Sequence, residues 1–164
     1  MTDDQPSFDD TGFDVDDWAR LKPFVGVLAT LDDVQRRVAI FALPGAYTGT
    51  CSTQHVPSFI RTADQFRAKG VDRIVCVSVN DPFVMGAWAK DTGAEAAGLT
   101  FLSDADGAFT EAMGMSFDAP AAGLFGRSKR YAMLVENGTI TALEVEESPG
   151  QCSISGGESL LARA

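Results

Sequence analysis

The chain has 164 residues, 45% hydrophobic and 22% charged, which is room for one core-forming domain of ordinary soluble composition. Its formal net charge is −10. It holds no run of about 18 apolar residues, so a membrane-spanning helix is excluded, and no basic stripe that would make nucleic acid an expected partner. Seven acids from Asp3 to Asp17 precede the first base, Arg20; without them 16 acids face 13 bases. Residues 1–17 are therefore read as an acidic, poorly ordered tail and 18–164 as a single domain. The start, MTDDQPSFDD, lacks the apolar stretch of a secretory signal, which points to the cytoplasm.

Val38–Leu43 (VAIFAL) is an apolar run that predicts a buried strand, closed by the turn signal Pro44-Gly45. From Ser52 to Lys69 the apolar residues Val56, Phe59, Ile60, Ala63 and Phe66 share one helical face, and Gly70 follows as a stop. Pro57 belongs in the first turn of that helix or at a kink. Arg73–Val79 predicts a second buried strand, and Asp81 caps a helix through Phe83, Met85 and Trp88 to about Thr92. Leu99–Leu102 reads as a short strand and Asp104–Met113 as a short helix. Tyr131–Val135 and Thr139–Val145 flank Asn137-Gly138, a strong hairpin signal, and Gly156–Ala162 closes the chain as a helix. Strand and helix alternate, so the class is α/β; the late hairpin makes the sheet mixed. A thioredoxin-like fold, a mixed central sheet flanked by helices, has this order.

The cysteines are Cys51, Cys76 and Cys152, with no CxxC and a single histidine, His55. That set describes neither a disulfide framework nor a zinc site, and no cofactor or metal is expected. Cys76 lies within a buried strand and reads as an unreactive packing residue. Cys51 follows a Gly-rich loop, Pro44-Gly45-Ala46-Tyr47-Thr48-Gly49-Thr50, where the long helix begins. Backbone N–H groups at a helix start favour a thiolate, the nucleophilic form. From position alone, a reactive thiol and a small buried hydrophobe are equally open.

The spacing P-x-x-x-T-x-x-C, met by Pro44, Thr48 and Cys51, resembles the active-site signature of peroxiredoxins. FALPGAYTGTCSTQHVPSFI is similar to the type-5, or type II, subfamily, and the likeness continues through VCVSVNDPFVMGAW, FLSDADGAFTEAMGM and GRSKRYAMLVENG. It runs from about Val27 to the C-terminus. The resemblance implies a thiol peroxidase in which Cys51 attacks a hydroperoxide and becomes a sulfenic acid. Thr48 then donates to the peroxide, Pro44 shields the sulfur, and Arg130, just before Tyr131, is the distant guanidinium at the site. Arg127 and Lys129 are its competitors, and strand alternation turns Lys129 away from Arg130.

His55 follows Cys51 by four residues, on the same face of a regular helix, and reads as an accessory residue bonded to a loop rather than a general base. Cys152, in the turn-rich segment Glu147–Ser153, is either the resolving thiol that some members place here or a loop bystander. Gly49 departs from the common T-P-x-C, which implies a more mobile loop but no lost catalytic group. The family implies thioredoxin, or glutathione with glutaredoxin, as reductant. It also implies a homodimer built from loops beside the site, with Phe83 and Trp88 either at that contact or in the core. The alternatives are a thiol-disulfide oxidoreductase, against which the missing CxxC counts, and a non-enzymatic redox sensor.

Overall fold

The computed structural model describes residues 37–164; the acidic start and the first part of the family likeness lie outside the described residues. Five strands form the main sheet: β1 (Arg37–Ala42), β2 (Arg73–Ser78), β3 (Thr100–Ser103), β6 (Tyr131–Glu136) and β7 (Thr139–Val145). Their order is β3-β2-β1-β6-β7. The first three are parallel; β6 runs antiparallel to β1, and β7 antiparallel to β6. The helices are α1 (Val56–Ala68), α2 (Pro82–Asp91), α3 (Ala108–Ala112) and α4 (Gly157–Leu161).

Alternation along each strand divides the core in two. Ala39, Phe41, Cys76, Ala132 and Leu134 join Phe59, Phe66, Trp88 and Leu160 from α1, α2 and α4. Val38, Ile40, Val77, Tyr131 and Met133 join Phe109 of α3 and Met115. Both faces of the sheet are thus covered, as the α/β reading requires. Cys76 is fully buried, and burial pushes its thiol well above the usual range, with the Cys51 charge adding to the rise.

The local signals act as expected at several places. The Asp81 carboxylate accepts from the Val84 N–H at 2.9 Å at the start of α2. Asn137 and Gly138 take φ values of +50° and +79°, the left-handed pair that a two-residue hairpin turn demands. Asp104 sits ahead of α3 and accepts from the N–H groups of Phe109 and Thr110.

Two features depart from the sequence reading. Residues 116–128 form an additional hairpin, β4 (Ser116–Ala119) and β5 (Leu124–Ser128), joined by a 3₁₀ turn at Pro120–Ala122. Its strands are short and largely exposed, so no apolar run betrays them. The long helix is also not regular throughout. Cys51–His55 forms a π-turn in which the Val56 N–H reaches the Cys51 carbonyl. Pro57 follows in the first turn of α1, where it has no N–H to donate.

Candidate active site

The register brings three chain segments to one end of the sheet. Ala42, at the end of β1, pairs with Tyr131, at the start of β6, and Tyr131 pairs with Val145, at the end of β7. The loop after β1 leads into Cys51, Arg130 directly precedes β6, and Glu146 directly follows β7. Nothing in the linear sequence puts these residues together; the pairing does.

Cys51 is 1% exposed and belongs to the core cluster of α1. Arg130 is also buried. Its Nη2 donates to Cys51 Sγ at 3.3 Å and to the Pro149 carbonyl at 2.8 Å. Its Nη1 lies 3.1 Å from His55 Nδ1. Arg130 Nε is buried with no protein partner among the described residues, which leaves one N–H for a ligand oxygen. Lys129 is exposed, as strand alternation predicts. Arg127 reaches the Pro44 carbonyl at 3.3 Å, so the competitor grips the loop while Arg130 meets the sulfur.

A guanidinium has only donors, so His55 Nδ1 accepts from Arg130. The proton then sits on Nε2, which donates to the Ser155 carbonyl at 2.9 Å. Burial, with the Arg130 charge second, pushes the His55 pKa down to about 3, so the ring is neutral at physiological pH. It is unsuited to take a proton from Cys51 and well suited to hold Arg130. The shared helical face expected for Cys51 and His55 rests instead on the π-turn, whose ends are the two buried residues while Thr53 and Gln54 are exposed.

The loop before Cys51 is fixed by polar bonds. The Thr48 hydroxyl donates to the Gly45 carbonyl at 2.8 Å. Its lone pairs are free to accept; donation to a peroxide requires the O–H to turn. Asn80 Oδ1 accepts from the Ala46 N–H at 3.0 Å and the Ser78 hydroxyl at 2.7 Å. Tyr47 has φ +61°, unusual for a side-chain-bearing residue, and its hydroxyl donates to Asp91 at 2.6 Å. Gly49 lies in the first helical turn, and a Cβ there would meet nothing within 4 Å. Pro44 is buried at the loop's entry.

Cys152 is half-buried, and burial is the main cause that raises its thiol pKa. It lines a polar cavity of about 260 Å³ with Thr53, Ser58, Arg61 and Glu158. Its segment is tied to the site at both ends: the Thr50 hydroxyl donates to the Gly150 carbonyl at 3.2 Å, and Glu146 accepts from Ser153, Ile154 and Ser155. Sequence reasoning missed Glu146, Asn80 and the carbonyls of Pro149 and Ser155. Backbone acceptors leave no residue-type signal, and Glu146 reads as one more surface acid beside Glu144 and Glu147.

This fold, with a cysteine at a helix start and a buried arginine against its sulfur, defines a class of thiol-bearing thioredoxin-like proteins, and residues 26–161 match the Redoxin family. Within that family the chain belongs to the peroxiredoxins of the type II branch. It is 48% identical over 126 residues to the mitochondrial Peroxiredoxin-2F of Arabidopsis thaliana, covering 77% of this chain and 62% of that protein. It is 50% identical to Peroxiredoxin-2C of Oryza sativa subsp. japonica, covering 77% and 76%. The crystal structure of reduced Prx3 in complex with H2O2 from Vibrio vulnificus superposes with a TM-score of 0.73 at 46% identity, covering 79% of this chain and 82% of that one. The match thus spans less than two thirds of the first of these relatives.

Proposed function

We propose that the chain is a thiol peroxidase that reduces hydrogen peroxide and organic hydroperoxides through Cys51. The observation that carries this reading is the Arg130 Nη2 contact with Cys51 Sγ at 3.3 Å, which sets a fixed positive charge beside the sulfur and offers donors to a bound peroxide. The similar Vibrio vulnificus structure holds H2O2, which supports the substrate class. The Cys51 thiolate attacks the terminal peroxide oxygen, a sulfur–oxygen bond forms and the O–O bond breaks. The sulfur becomes a sulfenic acid, and the departing oxide takes up the proton that the thiol gave up, leaving as water or alcohol. Arg130 and Thr48 hold the peroxide in line, and Pro44 walls the sulfur from water.

Cys152 is the proposed resolving thiol. It condenses with the sulfenic acid, releases water and forms a disulfide that thioredoxin, or glutathione with glutaredoxin, reduces. A disulfide needs Cα atoms within about 7 Å, and the bonds holding residues 149–155 must open for the loop to move. The working form is a homodimer in the cytoplasm. Exposed Phe83 (60%), Phe125 (65%) and Tyr47 (54%) support the dimer, whereas Trp88 is core. Recovery in an organelle on cell fractionation would overturn the compartment.

The test is hydrogen peroxide consumption, run in parallel with a thioredoxin system and with glutathione plus glutaredoxin. Turnover is expected with one of them and is abolished in Cys51→Ser, because a serine oxygen at its ordinary pKa is not a nucleophilic anion. A Cys51–Cys152 cross-linked peptide after one equivalent of peroxide supports the internal route; free Cys152 beside overoxidised Cys51 excludes it. No consumption with either reductant, or insulin-disulfide reduction instead, overturns the peroxidase reading.

A further inference from the structure

Glu146 stands outside the residues given a part in the chemistry, yet it is the most heavily bonded side chain near them. It is 7% exposed. One oxygen, Oε1, accepts from the N–H of Ser153 at 2.7 Å, of Ile154 at 2.8 Å and of Ser155 at 2.9 Å, and from the Ser155 hydroxyl at 2.9 Å. Oε2 accepts from the Ser153 hydroxyl at 3.2 Å. A buried carboxylate is costly unless it is bonded this fully. Its own N–H donates to the Arg130 carbonyl at 3.0 Å, so Glu146 also touches the arginine's backbone.

We infer that Glu146 is a positioning residue for the Arg130 guanidinium: by pinning Ser153, Ile154 and Ser155 it places the Ser155 carbonyl that orients His55, and His55 in turn fixes the Arg130 contact with Cys51. Every link is a hydrogen bond of the structure: Glu146 to Ser155, Ser155 O to His55 Nε2 at 2.9 Å, His55 Nδ1 to Arg130 Nη1 at 3.1 Å, and Arg130 Nη2 to Cys51 Sγ at 3.3 Å. His55 has one N–H to give and one lone pair to accept with, and both are spent. If the Ser155 carbonyl moves, the ring must turn, and the guanidinium is left with the Pro149 carbonyl alone of the two oxygen and nitrogen acceptors that hold its plane. The direct electrostatic effect of Glu146 has the opposite sign. A negative charge near Cys51 disfavours the thiolate, so charge alone makes Glu146 a hindrance to the nucleophile, whereas positioning makes it a help.

That opposition makes the inference testable. It rests on the peroxidase reading for its kinetic arm only. Three variants of the full chain are compared, Glu146→Gln, Glu146→Asp and Glu146→Ala. Gln keeps an oxygen where Oε1 stands and loses the charge; Asp keeps the charge and withdraws the oxygens by one methylene; Ala loses both. Two quantities are read on the folded protein: the pH profile of Cys51 alkylation by iodoacetamide, followed on the Cys51 peptide by mass spectrometry, and kcat/KM for hydrogen peroxide. Positioning predicts that Gln stays close to the parent. Asp and Ala should move the alkylation profile to higher pH by about one unit and lower kcat/KM about tenfold, the size of one lost charge-assisted contact. A charge role predicts that Asp resembles the parent while Gln and Ala alkylate faster at low pH, which overturns the inference. A purely structural role lowers the melting temperature of Asp and Ala with both readouts unchanged, which also overturns it. If Ala does not fold, the Gln and Asp pair still gives opposite answers under the two readings. If the parent consumes no peroxide, the peroxidase reading fails, and the alkylation arm still decides the part played by Glu146.

Discussion

The two arginines three positions apart show how much depends on a single strand register. Arg130 points its fork at Cys51 and His55, whereas Arg127 reaches the Pro44 carbonyl. Arg130→Lys replaces a planar fork with a point charge and cannot keep both contacts. It should cut kcat/KM for peroxide on the order of 10²-fold, as should Thr48→Val, each removing one donor to the developing charge. Arg127→Lys should cost less than Arg130→Lys, and steady-state peroxide kinetics on the three variants check that ranking. His55 gives a different kind of outcome. Its folded-state pKa is pushed down to about 3 from the ordinary 6.5, so the unfolded chain binds the proton more readily in that window. Stability from the neutral ring is therefore fully present above pH 6.5 and is lost as pH falls toward 3, by up to about 1.4 kcal/mol per unit. Below 4.5 the Glu146 carboxylate adds to the loss: burial raises its pKa, but the donors on Ser155, Ile154 and Ser153 outweigh that and hold it low. Denaturant unfolding at a series of pH values should show this slope, and His55→Gln should flatten the part between 6.5 and 4.5.

At the scale of elements, the loop that follows β7 is anchored by the contact between α4 and α1. The Gly157 N–H donates to the Ser58 hydroxyl at 2.8 Å. A Cβ on Gly157 would stand 2.5 Å from the Ser58 carbonyl oxygen and 2.7 Å from its carbon, so the backbones must separate. Gly157→Ala should destabilise by about 1–3 kcal/mol, as overpacking does. Gly156→Ala, whose nearest neighbour lies at 3.7 Å, should be nearly neutral, and thermal melts of the pair make the comparison. The same scale shows what the amino-acid order reveals. Val38–Leu43, Arg73–Val79 and the Asn137-Gly138 hairpin are legible because buried strands are continuous apolar runs and turns need special residues. The hairpin at 116–128 is not, because its stability comes from pairing rather than burial. Cys51, Thr48 and Pro44 are legible as a spacing. Arg130 is legible only through family resemblance, since an arginine ahead of a strand is ordinarily exposed. Glu146 is not legible at all, because its importance lies in main-chain donors seven to nine residues away.

For the whole molecule, the converging ends of β1, β6 and β7 put the Cys51 sulfur at one end of the sheet, with the loop aromatic Tyr47 tied to the end of α2. Phe83, at the start of that helix, and Phe125 remain exposed. The proposed dimer contact draws on these two rings, since aromatic residues are enriched at interfaces. Sedimentation should find a dimer at concentrations on the order of tens of micromolar, and Phe83→Ser and Phe125→Ser should shift it toward monomer. A monomer for the parent chain at that concentration sinks the dimer.

The π-turn at Cys51–His55 has a consequence for how such a chain changes length over time. Its wide hydrogen bond encloses one residue more than an α-turn between the same flanks. Elsewhere in a helix, deleting one residue rotates everything before it by about 100° relative to everything after it. Here the loss of exposed Thr53 or Gln54 should be absorbed by closing the turn to α geometry, so that Val56, Phe59, Ala63 and Phe66 stay in phase with the sheet while the approach of Cys51 to Arg130 changes. The segment beside Cys51 is thus a place where a single-residue deletion should change the local geometry without first breaking the fold.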